Sequence, residues 1–220
     1  MEDVLFVNVH AHAPGEGVTL LDMGTGLFGG SSPGVFYSAG IHPVRLAESA
    51  PGDWEALDKA LLREDVVAVG ECGLDRRLPI SLPAQEEAFL RQAQLAETRG
   101  LPVIVHCVRA FPELVSLRRS GGFRMPWIVH GFNNNERILR MLLDCGFHIS
   151  LGGALLNPSS NAFRLLPEIP LACLFLETDE RPLPVRLVYE AASARLGVSL
   201  GELKRQMWIN FNEVFLWKNG

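Results

Sequence analysis

Six histidines are spread through the 220-residue chain, and five of them end short apolar runs. The runs read Val-Asn-Val-His10-Ala-His12, Ala-Gly-Ile-His42-Pro, Val-Ile-Val-His106-Cys and Trp-Ile-Val-His130-Gly. Two carboxylate-bearing stretches are placed alike, Val-Ala-Val-Gly-Glu71-Cys-Gly and Leu-Phe-Leu-Glu177-Thr-Asp179. Imidazole nitrogen combined with carboxylate oxygen is the donor set of Zn²⁺, with Mn²⁺ and Mg²⁺ as alternatives. His10 and His12 are two residues apart, so on a strand both side chains point the same way and can share one cation. Any one of these histidines read alone is a hydrogen-bonded structural residue. Together they are costly to bury without a shared partner, and a cation is such a partner.

The elements that must position these residues are short apolar runs bounded by Gly and Pro, the pattern of strands buried on both faces of a parallel sheet. They fall at 4–9, 18–23, 35–41, 66–70, 102–105, 127–129, 148–151 and 174–176. Helical patterns lie between the later runs. Trp54, Leu57 and Leu61 follow a cap at Asp53, and Phe89, Ala93 and Ala96 follow Pro83. Ile138, Leu142 and Cys145 mark another helix, and Leu187, Ala191 and Leu196 a further one. Ser199 and Glu202 form a capping box for the last.

Eight strands with interleaved helices predict an α/β fold, a (β/α)₈ TIM-type barrel occupying residues 1–220 as one domain. The chain is short for that fold. Residues 13–34 hold seven glycines and two prolines, so helices are expected to be missing after the first two strands and regular after the third and later ones. In such a barrel every run that ends in a ligand-type residue delivers it to one rim, where active sites form. An open doubly wound sheet is the other topology, and Gly24-Thr25-Gly26-Leu27-Phe28-Gly29 matches a dinucleotide fingerprint. That motif needs a helix directly after it. Gly30-Ser31-Ser32-Pro33-Gly34 follows instead, so the stretch reads as a turn.

Other residues read as structural. His148 opens its run and belongs near the opposite rim. Cys72 and Cys107 each follow a candidate ligand, so strand alternation turns them away from the barrel interior as core thiols.

Hydrophobic residues make up 48% of the chain and charged residues 20%, which excludes a disordered chain. A net charge of −5 excludes wholesale electrostatic binding of nucleic acid, though not a nuclease whose metals supply positive charge locally. The four cysteines are far apart with no Cys-x-x-Cys pair, which fits a reducing cytoplasm. The N-terminal residues lack the pattern of a secretory signal, and no apolar run approaches the roughly 20 residues of a membrane span.

In order along the chain stand His10-Ala-His12, Gly40-Ile-His42-Pro43, Gly70-Glu71-Cys-Gly73-Leu74-Asp75, Val105-His106-Cys107, Val129-His130-Gly-Phe132 and Leu176-Glu177-Thr178-Asp179. The tail Asn210-Phe211-Asn212-Glu213-Val214-Phe215 completes the set. On these motifs the chain resembles the TatD-like metal-dependent hydrolases of the amidohydrolase superfamily. The resemblance implies a (β/α)₈ barrel, two divalent metal ions and hydrolysis of phosphoester bonds, often in DNA. It places His10, His12 and Asp179 on one metal, His106 and His130 on the second, Glu71 between them and His42 against the substrate. The chain departs from the family pattern at Asn8, Val44 and Val108 and in the loop after His130, all where substrate is read.

The expected mechanism is attack by a water shared between two cations that lower its pKa, with Asp179 orienting the water and accepting its proton. His42 and Arg109 are expected to contact a phosphate, although Arg109 also reads as a surface charge. Asp75 orients a ligand from behind or caps its own turn, and Glu177 sits deeper on the same strand face as Asp179. Two other functions fit the same residues: an amidohydrolase-type enzyme acting on a lactone or amide, and a metal-binding barrel without turnover. Missing helices would leave apolar barrel wall exposed, a face for a homodimer.

Overall fold

The computed structural model describes residues 5–26 and 32–216. Its eight strands are β1 (Val7–Ala11), β2 (Val18–Asp22), β3 (Val35–Ala39), β4 (Val66–Asp75), β5 (Val103–Val108), β6 (Trp127–Val129), β7 (His148–Leu151) and β8 (Leu174–Leu176). All neighbours are parallel and pair in chain order. The ring closes just beyond β8. A parallel bridge joins Ala11 to Asp179, and the Asp179 N–H donates to the His10 carbonyl at 3.0 Å. The fold is the shortened (β/α)₈ barrel expected.

Burial on both faces explains the unbroken apolar runs: all ten residues of β4 are buried. The last three strands match their expected bounds, but the first five shift. β1 starts at Val7, with Leu5 and Phe6 outside it and Val4 outside the described residues. β4 and β5 run on to Asp75 and Val108, so Glu71 and His106 lie inside strands and not at their ends.

Among the described residues no helix follows β1 or β2. The glycines explain this. Gly24 adopts a positive φ of 56°, and the Gly26 N–H bonds the Met23 carbonyl, so residues 23–26 form a turn; residues 27–29 of the dinucleotide-like motif, and 30 and 31 after it, lie outside the described residues. After β3 come a 3₁₀ turn at Pro43–Arg45 and α1 (Pro51–Ala60), after β4 α2 (Leu82–Arg99), after β5 α3 (Phe111–Gly121) and after β6 α4 (Glu136–Leu143). α3 is an addition to the helices expected from periodicity. β7 departs from the expected regular ring, being followed by a 3₁₀ turn at Gly153–Leu156 and the five-residue α5 (Asn161–Leu165). α6 (Val185–Leu196) and α7 (Leu200–Phe211) follow β8.

Two local expectations are corrected. Asp53 is not the cap of α1 but its third residue, where its carboxylate accepts the Ala50 N–H at 2.9 Å. In α6 the buried face is Val185, Val188, Tyr189 and Ala192, while Leu187 is exposed. Tyr189 decides this register, because its hydroxyl bonds both the N–H and the carbonyl of Val7. The capping box of α7 is as expected: Ser199 Oγ accepts the Glu202 N–H, and Glu202 accepts the Ser199 N–H.

The exposed barrel wall expected beside β1 and β2 is largely covered. Val7, Val9, Ala11, Val18 and Leu20 are all buried. α7 packs against β1 and β8, and its Phe211 meets Phe36 of β3 at 5.6 Å between ring centroids.

The glycines of the Gly70–Asp75 motif have a steric cause. Gly73 has φ +152°, and a Cβ there would lie 1.9 Å from the His106 carbonyl oxygen of β5. Only glycine lets β4 pass this close to the strand that delivers His106. Gly73→Ala is expected to destabilise the metal-free protein by about 2–4 kcal/mol through strain and overpacking, measured by urea denaturation.

Candidate metal centre

Glu71 is the hub. Its carboxylate is buried, and its two oxygens face two different sets of imidazoles. Oε1 lies 2.7 Å from His106 Nδ1, 2.8 Å from His130 Nε2 and 3.4 Å from His42 Nε2. Oε2 lies 3.4 Å from His10 Nε2 and 4.0 Å from His12 Nε2. Asp179 completes the second group, its Oδ1 at 3.5 Å from both His10 Nε2 and His12 Nε2. The barrel thus gathers all six residues expected to hold metal, together with His42.

Each outer flank is also built. His106 turns its other nitrogen, Nε2, to Asp75 Oδ2 at 3.3 Å, and His130 turns Nδ1 to Glu177 Oε1 at 3.4 Å. Asp75 caps its own turn as well, because it accepts the Arg77 N–H at 2.8 Å and pairs with the Arg77 guanidinium at 2.7 Å. Glu177 is fully buried, accepts the Gly131 N–H at 2.7 Å and is bonded by the Ser150 hydroxyl. Both carboxylates therefore sit behind imidazoles.

The donor set passes a proton-counting test for metal. His106 and His130 each have carboxylate oxygens at both ring nitrogens. A neutral imidazole carries one N–H, so unless the ring takes a second proton one nitrogen of each aims a lone pair at an oxygen lone pair. His10 is fully buried, and neither of its ring nitrogens has a hydrogen-bond partner among the described residues. A cation accepting the inward lone pairs would remove both conflicts, leaving the outer N–H groups turned toward Asp75 and Glu177. The residues present fit a pair of divalent ions sharing Glu71. Groups of three ligand-type atoms within 4.8 Å include His10, His12 and Asp179 on one side, and His42, Glu71 and His106 on the other.

The electrostatics follow the same geometry. Burial alone would raise Glu71, but the imidazoles of His10, His106, His130 and His42 around it hold it well below the usual carboxylate range. Asp179, opposed by burial, is likewise held low by His10 and His12. Asp75 falls to about 2 despite burial, through Arg77 and His106. Burial and the neighbouring His10 oppose a charge on His130, yet Glu177 and Glu71 carry it up to about 9.

The open face of the cluster is a pocket of about 500 Å³ lined by His12, Asp22, His42, Arg45, Arg77 and Asp179 among others. Arg109 is exposed, has a positive φ of 55° and is not among the lining residues. Arg45 and Arg77 are the arginines at the pocket. Cys72 is fully buried and Cys107 half-buried; burial pushes both thiols up, away from nucleophilic thiolate. His148 stands at the start of β7 against the Phe175 ring, as its position in the run implies.

Sequence reasoning missed three residues that support the site. Gln85 and Gln92 of α2 are fully buried. Gln85 clamps the Asp75 N–H at 2.7 Å and its carbonyl at 3.1 Å, and Gln92 clamps the Ile41 N–H and carbonyl at 2.7 and 3.1 Å. One helix thereby fixes the backbone next to His42 and at Asp75. Their signal was polar residues seven apart on the apolar stripe of Phe89 and Ala96. The third is Asp22, the polar end of the β2 run, whose carboxyl is pushed up by burial.

Fold and site together define a (β/α)₈ barrel with an imidazole–carboxylate cluster at the mouth. Residues 25–216 match the family described as TatD related DNase, and the chain belongs to that family. It is 38% identical over 149 residues to the 3'-5' ssDNA/RNA exonuclease TatD of Edwardsiella piscicida, which covers 64% of this chain and 56% of that protein. It is 30% identical over 207 residues to the uncharacterized metal-dependent hydrolase YcfH of Escherichia coli K12, covering 84% of this chain and 76% of that one. The crystal structure of the TatD homologue YjjV from Escherichia coli K12 superposes with a TM-score of 0.81 at 22% identity, covering 97% of this chain and 98% of that one.

The raised His130 has a pH consequence for the metal-free protein. With its folded value near 9 and its ordinary value 6.5, the protonated ring stabilises the fold fully below about 6.5, and that contribution is lost as pH rises through about 9. The metal-free melting temperature is expected to fall between pH 7 and pH 10, less so in His130→Gln. Adding Zn²⁺ at pH 7 should release protons, read by calorimetry in buffers of different ionisation enthalpy.

Proposed function

We propose that the protein is a divalent-metal-dependent hydrolase that cleaves phosphoester bonds, with single-stranded nucleic acid as its substrate class. One observation carries this reading: the two oxygens of Glu71 face separate imidazole groups, the geometry of a carboxylate shared by two cations. Zn²⁺ suits the nitrogen-rich donor set best, with Mn²⁺ or Mg²⁺ as alternatives. The relatives named as metal-dependent hydrolase and as exonuclease support the reaction class. Four free cysteines fit a reducing compartment such as the cytoplasm, and no described helix is long and apolar enough to cross a membrane.

In this reading His10, His12 and Asp179 would hold one ion, His106 and His130 the other, and Glu71 would be shared by both. The ions would supply Lewis-acid activation of water and stabilisation of charge on the phosphoryl oxygens. Asp179 has one carboxylate oxygen beside His10 and His12 and lies at the pocket surface, where it receives the proton of the attacking water. His42 keeps Nδ1 engaged by the Val44 N–H at 3.1 Å, so its Nε2 is presented to the centre and to a substrate oxygen. Arg45 and Arg77 stand at the pocket wall for flanking phosphates.

Asp179→Asn is expected to lower kcat on a phosphodiester substrate by about 10²–10⁴-fold, the size of a general-base contribution, with metal content at or near two per chain. Asn suits the positive φ of 56° at this position, so the exchange adds no backbone strain. Turnover at the wild-type rate would remove Asp179 from proton transfer. A panel of single-stranded DNA, RNA, phosphomonoesters and lactones with each metal tests the substrate class. Activity confined to lactones would overturn it.

A further inference from the structure

We propose that Asp22 is a positioning residue for the centre: its carboxylate holds the backbone of Glu71, and through it the bridging carboxylate, in place. The inference rests on the proposed two-metal reading and adds a residue to it.

Glu71 sits where its strand is least regular. The pairing of β4 with β5 shifts register between Val69 and Cys72, and the pairing with β3 is recorded only as far as Val69. Gly70, the residue before it, has a positive φ of 135° and lies so close to β5 that a Cβ would stand 2.5 Å from the Ile104 carbonyl oxygen. The Glu71 N–H is donated to Asp22 Oδ1 at 3.0 Å. Asp22 ends β2, and β3 lies between β2 and β4 in the ring. The side chain therefore reaches past a whole strand to bond this one amide. Gly40, just beyond the end of β3, lets the chain pass close to Gly70 beside this amide: a Cβ there would stand 2.7 Å from the Gly70 backbone.

The plainer reading of Asp22 is a turn cap, since Oδ1 also faces the Gly24 N–H two residues on. That contact is 3.4 Å, longer and weaker than the one to Glu71. A local cap also gives no reason for a carboxylate in this half-buried place at the pocket. A third reading is direct ligation, because an Asp22 oxygen falls within 4.8 Å of ligand-type atoms of His12 and Glu71. Positioning and ligation separate in their demands. Positioning needs a neutral or charged acceptor at one distance from the Glu71 N–H, whereas ligation needs the charge.

The test is metal affinity of the full chain, by chelator competition with Zn²⁺ and Mn²⁺, in Asp22→Asn, Asp22→Ala and Asp22→Glu, with wild type and Glu71→Gln as references. Asn keeps an acceptor at the same reach, Ala removes it, and Glu keeps the charge while overshooting the amide. Asp22→Ala is expected to lose about 10–100-fold in affinity, the range for residues that orient ligands from behind. Asp22→Asn should recover at least half of that loss on a logarithmic scale and bind more tightly than Asp22→Glu. An Asp22→Ala loss under about threefold, or an Asn variant no better than the Ala and Glu variants, overturns the proposal. Circular dichroism and thermal melting report folding; if the Ala variant does not fold, the Asn-against-Glu contrast decides alone. A wild type that binds no metal, or a Glu71→Gln variant that binds as wild type, overturns the two-metal reading itself and is thereby told apart from a failure at Asp22.

Discussion

A buried carboxylate surrounded by imidazoles is an unstable arrangement unless something positive sits among them. Glu71 has five ring nitrogens within 4.0 Å of its oxygens, and two of those rings have further carboxylates at their backs. With protons alone, charge must accumulate on rings that burial tries to keep neutral, as the opposing pushes on His130 show. Divalent ions resolve this without extra protons. Much of the surrounding structure serves to hold that crowded set of side chains together: the close passage of β4 and β5 at Gly73, the glutamine clamps of α2, and Glu177 beneath His130.

The same constraint explains why so much of the site was legible in the sequence. Parallel strands buried on both faces must be apolar until they reach the rim, so a polar residue ending such a run marks the mouth. His10, Glu71, His106, His130 and Glu177 were visible on that ground alone. Asp22 carries the same mark at the end of Leu20-Leu21, and it was hidden because the following glycine-rich stretch drew attention as a turn. Gln85 and Gln92 were hidden for another reason. Glutamine on a helix reads as solvent-facing, and only the position of strand ends beneath α2 reveals two backbone amides in need of partners.

The fold was legible at the level of architecture and less so in its borders. Strand ends shifted because residues such as Glu71 and His106 are polar yet remain inside the ladder, so the end of an apolar run is not the end of the strand. α6 was found in the wrong register because Leu187 looks like core, whereas Tyr189 is drawn inward by the Val7 backbone. Among the described residues the early helices are absent where glycine content disfavours them, but the bare wall expected from their loss is largely covered, α7 packing against β1, a return no local pattern announces.

The bridge between Ala11 and Asp179 joins the beginning of the barrel to its end, and it does so between neighbours of His10, His12 and the acid that faces them. The candidate ligand group is thereby tied to topological closure: a chain folded through its first seven strands presents His10 and His12 without the Asp179 carboxylate that follows the last. Under the proposed reading, a cation held by His10, His12 and Asp179 would act as a latch on the completed ring, favouring the molecule in which its two most distant segments have met.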